Sequence, residues 1–170
     1  MRTLLQFLAI IAAFGMATAG LTQTKASKPN ISLAIGLRES TVKAGSLVVV
    51  EITKKNISNH DMNVRQVVGS AEWSYDVVVT DEENKPAPTT DFGRRKLNKE
   101  PYFVGSIMID VLKPGESMHE IIALDRMYDF SRAGKYTIQV SQTVYASDLD
   151  VKAGVKTTVK SNVVMVTVTP

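Results

Sequence analysis

The stretch FSRAGKYTIQV, residues 130–140, decides the fold class. It opens with a polar turn that ends at Gly134, and apolar and polar side chains then alternate strictly. Tyr136, Ile138 and Val140 fall on one side of the chain, with polar residues between them. A period of two is typical of a β-strand with one buried and one exposed face. The stretch therefore predicts a strand that contributes to a hydrophobic core.

Six further segments have the same strand-like composition, rich in β-branched and aromatic residues. They are residues 31–37, 47–53, 73–80, 104–112, 118–124 and 163–169. Turn signals separate them, such as Pro114-Gly115 at the two central positions of a type II turn. After residue 20 no stretch sustains an amphipathic helical period over three turns. About seven short strands between turns predict an all-β fold, a two-sheet antiparallel β-sandwich.

The only tryptophan, Trp73, lies in segment 73–80 and is in phase with its apolar residues. Large aromatic side chains dominate the packing of protein cores. We therefore expect Trp73, together with Tyr136 and Ile138, to form the centre of the core.

Residues 130–140 resemble the E–F corner and F strand of immunoglobulin-like and fibronectin-III-like domains. The resemblance implies that Tyr136 is the corner tyrosine and that Trp73 is the core tryptophan of strand C. Ile138 stands where antibody domains carry their second cysteine, so apolar packing replaces the disulfide here. The sequence segments 112–116 and 128–137 are similar to segments of cysteine-free immunoglobulin-like modules in secreted bacterial proteins, including modules that precede metalloprotease domains.

The N-terminus has the three parts of a signal peptide. Arg2 supplies the positive charge, residues 4–14 form a short apolar run, and residues 17–19 match the small-x-small cleavage pattern. The apolar run is shorter than the roughly 20 residues that cross a bilayer. We predict a signal peptide at 1–19, a flexible leader at 20–29 and one sandwich domain at 30–170. The mature protein is then secreted or periplasmic, without a membrane span.

Composition narrows the function classes further. The chain contains no cysteine, which excludes disulfides, thiolate zinc sites and cysteine nucleophiles. Loss of Arg2 with the signal peptide leaves 19 basic against 17 acidic residues, a net charge of +2. Such a small excess of positive charge does not predict a nucleic-acid partner.

The sequence offers no catalytic or metal-binding motif of the usual kinds. His119-Glu120 lacks the second histidine of a zincin helix and lies in a predicted strand. The acidic groups at 81–84 and 148–150 lack the spacing of a calcium-binding loop. Nucleophile elbows, phosphate-binding loops and dinucleotide fingerprints do not occur. We therefore expect no catalytic residue, no metal and no cofactor, and a protein that is not an enzyme.

The longest segment without strand or helix period is 81–99, and the best candidate binding residues lie in it or just after it. They combine basic and aromatic side chains: Phe92, Arg94, Arg95, Lys96 and Tyr102. This mixture favours an acidic protein or a surface glycan as the partner. The alternative is a solvated loop whose aromatic side chains fold underneath it.

These observations predict an exported, non-catalytic binding module that recognises a protein or a cell-surface component through loops or sheet edges. A secreted protease inhibitor that presents residues 81–99 is one alternative, and a small hydrolase or metal-binding sandwich is another. A structural subunit that pairs a strand edge with a neighbour is a third. Asn30 and Asn56 each begin an N-x-S glycosylation pattern.

Overall fold

The computed structural model describes residues 29–100, 106–145 and 156–170. Nine strands, one α-helix and two short 3-10 turns make up this part of the chain. The strands are β1 Ile31–Leu37, β2 Thr41–Lys43, β3 Val49–Asn56, β4 Met62–Val67, β5 Asp76–Thr80, β6 Ile107–Leu112, β7 Ser117–Ala123, β8 Gly134–Tyr145 and β9 Lys156–Thr169. The helix α1 spans Asp91–Leu97, and the 3-10 turns span Ala71–Ser74 and Leu124–Arg126.

The strands form two sheets and a ribbon. One sheet has the order β1-β3-β7 and is antiparallel throughout. The other has the order β2-β9-β8-β5, in which β2 runs parallel to β9 and the remaining pairs are antiparallel. β4 and β6 form the separate antiparallel ribbon. Buried side chains from both sheets belong to one hydrophobic cluster, and this all-β arrangement is compatible with the predicted β-sandwich.

The alternating patterns in the sequence become alternating burial in the strands. In β1 every second residue from Ile31 to Ile35 is buried, and the residues between are exposed. In β8 the side chains of Tyr136, Ile138 and Val140 are buried in the shared cluster. The predicted strand in residues 130–140 is therefore confirmed, because a period of two places alternate side chains on one face of the sheet.

Trp73 is not at the centre of the core. It lies in the 3-10 turn Ala71–Ser74, where its main-chain N–H donates to the Ser70 carbonyl (3.1 Å). The strand β5 begins only after this turn. The side chain is half-buried and meets Phe92 edge-on, with ring centroids 6.0 Å apart. Tyr75 enters the hydrophobic cluster instead. The strand predicted over 73–80 is shorter than expected because the chain turns before the period of two begins.

Three further elements were not expected from the sequence. β2 has three residues, β4 buries only one side chain fully, and α1 lies inside the segment predicted as a loop. α1 is shorter than two full turns, so its sequence cannot develop a helical hydrophobic period. Its start is nevertheless capped, because Thr90 Oγ1 accepts the N–H of Gly93 (3.0 Å).

Several predictions concern residues outside the described ranges. The signal peptide at 1–19 and all but the last residue of the leader at 20–29 are among them, as are Tyr102 and the acidic group at 148–150. Within the three described ranges, no helix has the length and apolar character needed to cross a membrane.

A side-chain amide covers the outer edge of β1 at Ile35. The Asn162 Nδ2 group donates to the carbonyl of Ile35 (3.0 Å), and its Oδ1 accepts the N–H of Ile35 (2.8 Å). Asn162 belongs to β9, so this pair of bonds also joins the two sheets. An amide side chain carries the same donor and acceptor groups as a peptide unit, and it substitutes here for a neighbouring strand.

The core assignment is testable at Ile138, which is fully buried. Ile138→Ala should lower the free energy of unfolding by about 2–5 kcal/mol, since it removes packed methyl groups and leaves a cavity. Val163→Ala, at an exposed position on neighbouring β9, is the matched control and should change it by less than about 0.5 kcal/mol. Urea denaturation measures both values. Equal destabilisation by the two variants would contradict this description of the core.

Candidate functional site

Residues 81–99, the segment with the predicted binding residues, cover the outer edge of β5 together with Tyr128. Three outward-facing carbonyls at alternate residues each accept a hydrogen bond. The bonds run from Lys96 Nζ to Tyr75 O (2.7 Å), from Tyr128 OH to Val77 O (2.6 Å) and from Ala87 N–H to Val79 O (3.0 Å). Uncovered edges invite pairing with other chains, so this segment protects the four-stranded sheet.

The structure separates the predicted binding residues. Arg95 is exposed, and Arg94 is exposed and forms an ion pair with Asp91. Phe92 is half-buried, packs on the core and lies 4.7 Å beneath the Arg126 guanidinium. Lys96 is buried, and Tyr102 lies outside the described ranges. The four described residues therefore do not form one continuous exposed surface, which agrees with the alternative of side chains folded under the segment.

Lys96 anchors α1 to the sheet. Its side chain is 8% exposed, and its ammonium lies 5.9 Å from the centre of the Trp73 ring. Burial lowers the pKa of Lys96, and the carboxylates of Asp76 and Glu72 oppose that shift. The helix also lies close to the following chain at Gly93, where a Cβ atom would overlap the Met127 carbonyl. A glycine is required at this approach.

Other candidate residues have structural roles. Glu120 projects from β7 towards the interior, and His119 beside it is exposed, so the pair cannot converge on one metal. The Asp81 carboxylate accepts the N–H groups of Glu83 and Lys85 (2.9 Å each) and so closes a turn. Among the described residues, no three His, Cys, Asp or Glu side chains are grouped closely enough to hold a metal ion.

One of the two glycosylation patterns is inaccessible in the folded domain. Asn56 is fully buried, and its Nδ2 group donates to the carbonyls of His60 and Leu112 (2.8 Å each). Its Oδ1 atom accepts hydrogen bonds from the N–H and the hydroxyl of Ser58. Every polar atom of this amide is engaged, so Asn56 links the loop after β3 to the end of β6.

A buried polar cluster, formed by Lys54, Glu120 and Tyr75, lies beneath the sheet containing β7. Lys54 Nζ is 3.5 Å from Glu120 Oε2, and both side chains are almost fully buried. The Tyr75 hydroxyl donates to the same carboxylate oxygen. Burial lowers the pKa of Lys54 against the opposing effect of Glu120, and burial raises the pKa of Tyr75. The cluster thus holds one carboxylate with two donors in an apolar environment.

The amino-acid sequence contains a signal for this cluster, although the strand-like segments alone do not predict it. Lys54 continues the inward-facing series of Val50 and Ile52, and Glu120 lies between Met118 and Ile122 on the inward face of β7. Opposite charges at inward positions of strands that pair in the sheet indicate a buried ion pair. Only the register, in which Glu120 lies opposite Ile52 and Met118 opposite Lys54, shows that they are neighbours.

An open cleft of about 490 Å³ borders β7 next to this cluster. Glu120 and Ile121 line the β7 side. The opposite side is formed by residues 66–72 and by Met108 of β6, and Arg126 also lines the cleft. Arg126 pairs with the nearly buried Glu72 carboxylate. The cleft therefore combines apolar walls with one ion pair, Arg126 with Glu72, a composition found in many binding sites.

The outer edge of β7 faces open space in this region. In antiparallel strands, alternate residues bond the partner strand, and those between them point away. Leu124 N–H donates to Val48 O (2.8 Å), so Ile122 and Glu120 also face β3. The main-chain N–H and C=O groups of His119 and Ile121 therefore point away from β3, towards the outer edge of β7. Within the described residues these groups have no hydrogen bond. This edge contrasts with the covered edges of β1 and β5.

The chain matches no protein-family model and no curated protein. The β7 edge and the cleft beside it form the candidate site, because they combine concavity, apolar side chains and available main-chain groups.

The anchoring role of Lys96 is testable against its neighbour. Lys96→Ala should lower the free energy of unfolding by about 1–3 kcal/mol, because it leaves the Tyr75 carbonyl without its buried, charged donor. Arg95→Ala removes an exposed side chain from the same helix and should have almost no effect. Urea midpoints give the comparison, and equal midpoints for the two variants would contradict the anchor.

A double-mutant cycle tests the buried ion pair. Lys54→Met should lower the free energy of unfolding by about 3–5 kcal/mol, since it leaves the Glu120 carboxylate buried without its cation. Adding Glu120→Leu removes that unpaired charge and should recover part of the loss, because the buried Tyr75 hydroxyl then lacks its acceptor. Urea denaturation of both single variants and of the double variant gives the three changes in the free energy of unfolding. If the double variant's change equals the sum of the other two, Lys54 and Glu120 are not coupled.

Proposed function

We propose that this chain is an exported, non-catalytic, immunoglobulin-like module that binds another protein through the cleft beside β7. The single observation that carries the proposal is the open cleft next to an unpaired strand edge. In folds of this type, binding commonly uses loops and sheet edges on a rigid sandwich. By contrast, the β5 edge is hydrogen-bonded at three alternate carbonyls, and the β1 edge is hydrogen-bonded at Ile35.

The immunoglobulin-like assignment is supported by the corner before β8. The Tyr136 hydroxyl donates to the carbonyl of Arg132 (3.0 Å), four residues upstream. A tyrosine that bonds back to the preceding backbone at the start of strand F is typical of this class. Two residues later, Ile138 is fully buried where antibody domains have a cysteine. The half-buried position of Trp73 departs from the pattern.

Export is supported by the N-terminal sequence, with its positive charge, short apolar run and cleavage pattern. A secreted or periplasmic location then follows for the mature protein. The domain contains no cysteine, so its stability in that compartment depends on the packed core and on buried polar contacts.

The protease-inhibitor alternative is less favoured by the geometry. It requires residues 81–99 to be presented to a protease, whereas this segment is attached to β5 through Lys96 and Ala87. Its helix also packs closely at Gly93. Release of the segment would expose the β5 edge, so it is a poor candidate for a freely presented loop.

Affinity capture with paired surface variants tests the proposal. Met108 and Met165 are about equally exposed, but only Met108 lines the cleft. The mature protein and Met165→Lys should retain the same partner from the exported fraction of the source cells. Met108→Lys should lose it, because a charge in the apolar wall disfavours burial against the partner.

Equal retention by all three proteins, or no retained partner, would contradict a binding role for the cleft. Matching circular dichroism spectra and urea midpoints are the control for folding. Titration of the recovered partner by calorimetry then gives the change in Kd, which should increase at least about tenfold for Met108→Lys.

A further inference from the structure

The β7 edge offers main-chain hydrogen bonds as well as side chains to a ligand. This inference rests on the proposed function and concerns the chemistry of the partner. We propose that the cleft binds an extended polypeptide segment, which adds to β7 as a fourth strand of the β1-β3-β7 sheet and carries alternating apolar and polar side chains.

The main-chain geometry carries the proposal. The outward N–H and C=O groups of His119 and Ile121 repeat at a spacing of two residues along β7, and the described chain does not satisfy them. An extended polypeptide presents donors and acceptors at the same repeat, about 4.7–4.9 Å from its neighbour. A compact small molecule does not match such a row. Strand addition is an established mode of peptide recognition at sheet edges.

The side chains beside the edge define the pattern of the segment. On the outer face of the sheet, Ile121 is 54% exposed and offers apolar contact to a residue placed opposite it. On the inner side, the cleft is lined by Glu120, Glu72 and Arg126. Successive side chains of an added strand point to these two sides in turn. The segment should therefore place apolar residues next to Ile121 and polar residues towards Arg126.

The charges around the cleft are matched in pairs. Glu72 pairs with Arg126, and Glu120 pairs with Lys54. These four groups sum to no net charge, so the cleft is complementary to a segment of low net charge. A strongly acidic or strongly basic peptide would bury charge without a counter-ion.

The walls of the cleft favour a single strand over a second copy of this chain. Residues 66–72 and Met108 flank the space next to β7. If two copies paired their β7 edges, residues 66–72 and Met108 of each molecule would lie between the two strands. A lone extended segment needs only the width of one strand, so it enters where a folded sheet edge is obstructed.

The experiment uses the protein purified after export and a phage-displayed library of random linear peptides of about eight residues, a length typical of strands. Selected peptides are synthesised with an N-methyl group at each position in turn. Methylation removes one N–H donor, so it should weaken binding about tenfold at every second position and much less between. This alternation reads out main-chain pairing directly.

A pair of variants tests the edge itself. Ile121→Pro removes the outward N–H of β7 but no hydrogen bond to β3, and prolines are tolerated on strand edges. Ile121→Ala shortens the same side chain and keeps the N–H. We expect Ile121→Pro to weaken peptide binding about tenfold more than Ile121→Ala. Peptide binding should also slow hydrogen exchange at the amides of His119 and Ile121 in the wild-type protein, which requires no variant to fold.

Other results would overturn the proposal. Selection of no peptide, N-methyl effects without a period of two, or unchanged exchange at both amides would each exclude strand addition. If Met108→Lys still abolished partner capture in those cases, the cleft would remain the binding site and only the strand mechanism would fail. Sedimentation showing a dimer that Ile121→Pro dissociates would assign the edge to a second copy instead.

Discussion

Half of the main-chain N–H and C=O groups of an edge strand point away from its sheet, and water or another part of the protein must satisfy them. Three strand edges of this protein meet that requirement differently. The amide of Asn162 occupies the β1 edge, the segment 81–99 with Tyr128 occupies the β5 edge, and the β7 edge is open beside a cleft. The placement of α1, the burial of Lys96 and the position of the candidate site are consequences of how these edges are treated.

The buried charges of the structure are held by this same framework. Lys96 is buried because its ammonium donates to a carbonyl at the β5 edge, and Lys54 is buried because Glu120 lies on the neighbouring strand. Isolated buried charges are costly, and a buried pair rarely adds much net stability compared with apolar packing. Their contribution here is positional, since the Lys54, Glu120 and Tyr75 cluster fixes the inner side of the strand that borders the cleft.

Much of the fold could be predicted from local patterns. The strands β1 and β8 follow from a period of two, and the turn at Pro114-Gly115 follows from backbone preferences, with Gly115 at φ 81°. Trp73 was misplaced because its phase with Tyr75 continued the pattern of β5 past the point where the chain turns. β4 has no local signal because only Val64 of its six residues is buried, so its sequence shows no period of two.

The sequence by itself determined the all-β class, the absence of disulfide cross-links and the inward-facing residues of the main strands, Tyr136 among them. These properties depend on residue type and on spacings of a few residues. Only the tertiary structure decided which strand edges are covered, that the basic run at 94–96 divides between surface and interior, and that Lys54 meets Glu120. The physical reason is that edges, buried ion pairs and clefts are made by residues distant in sequence, and strand register and packing bring them together.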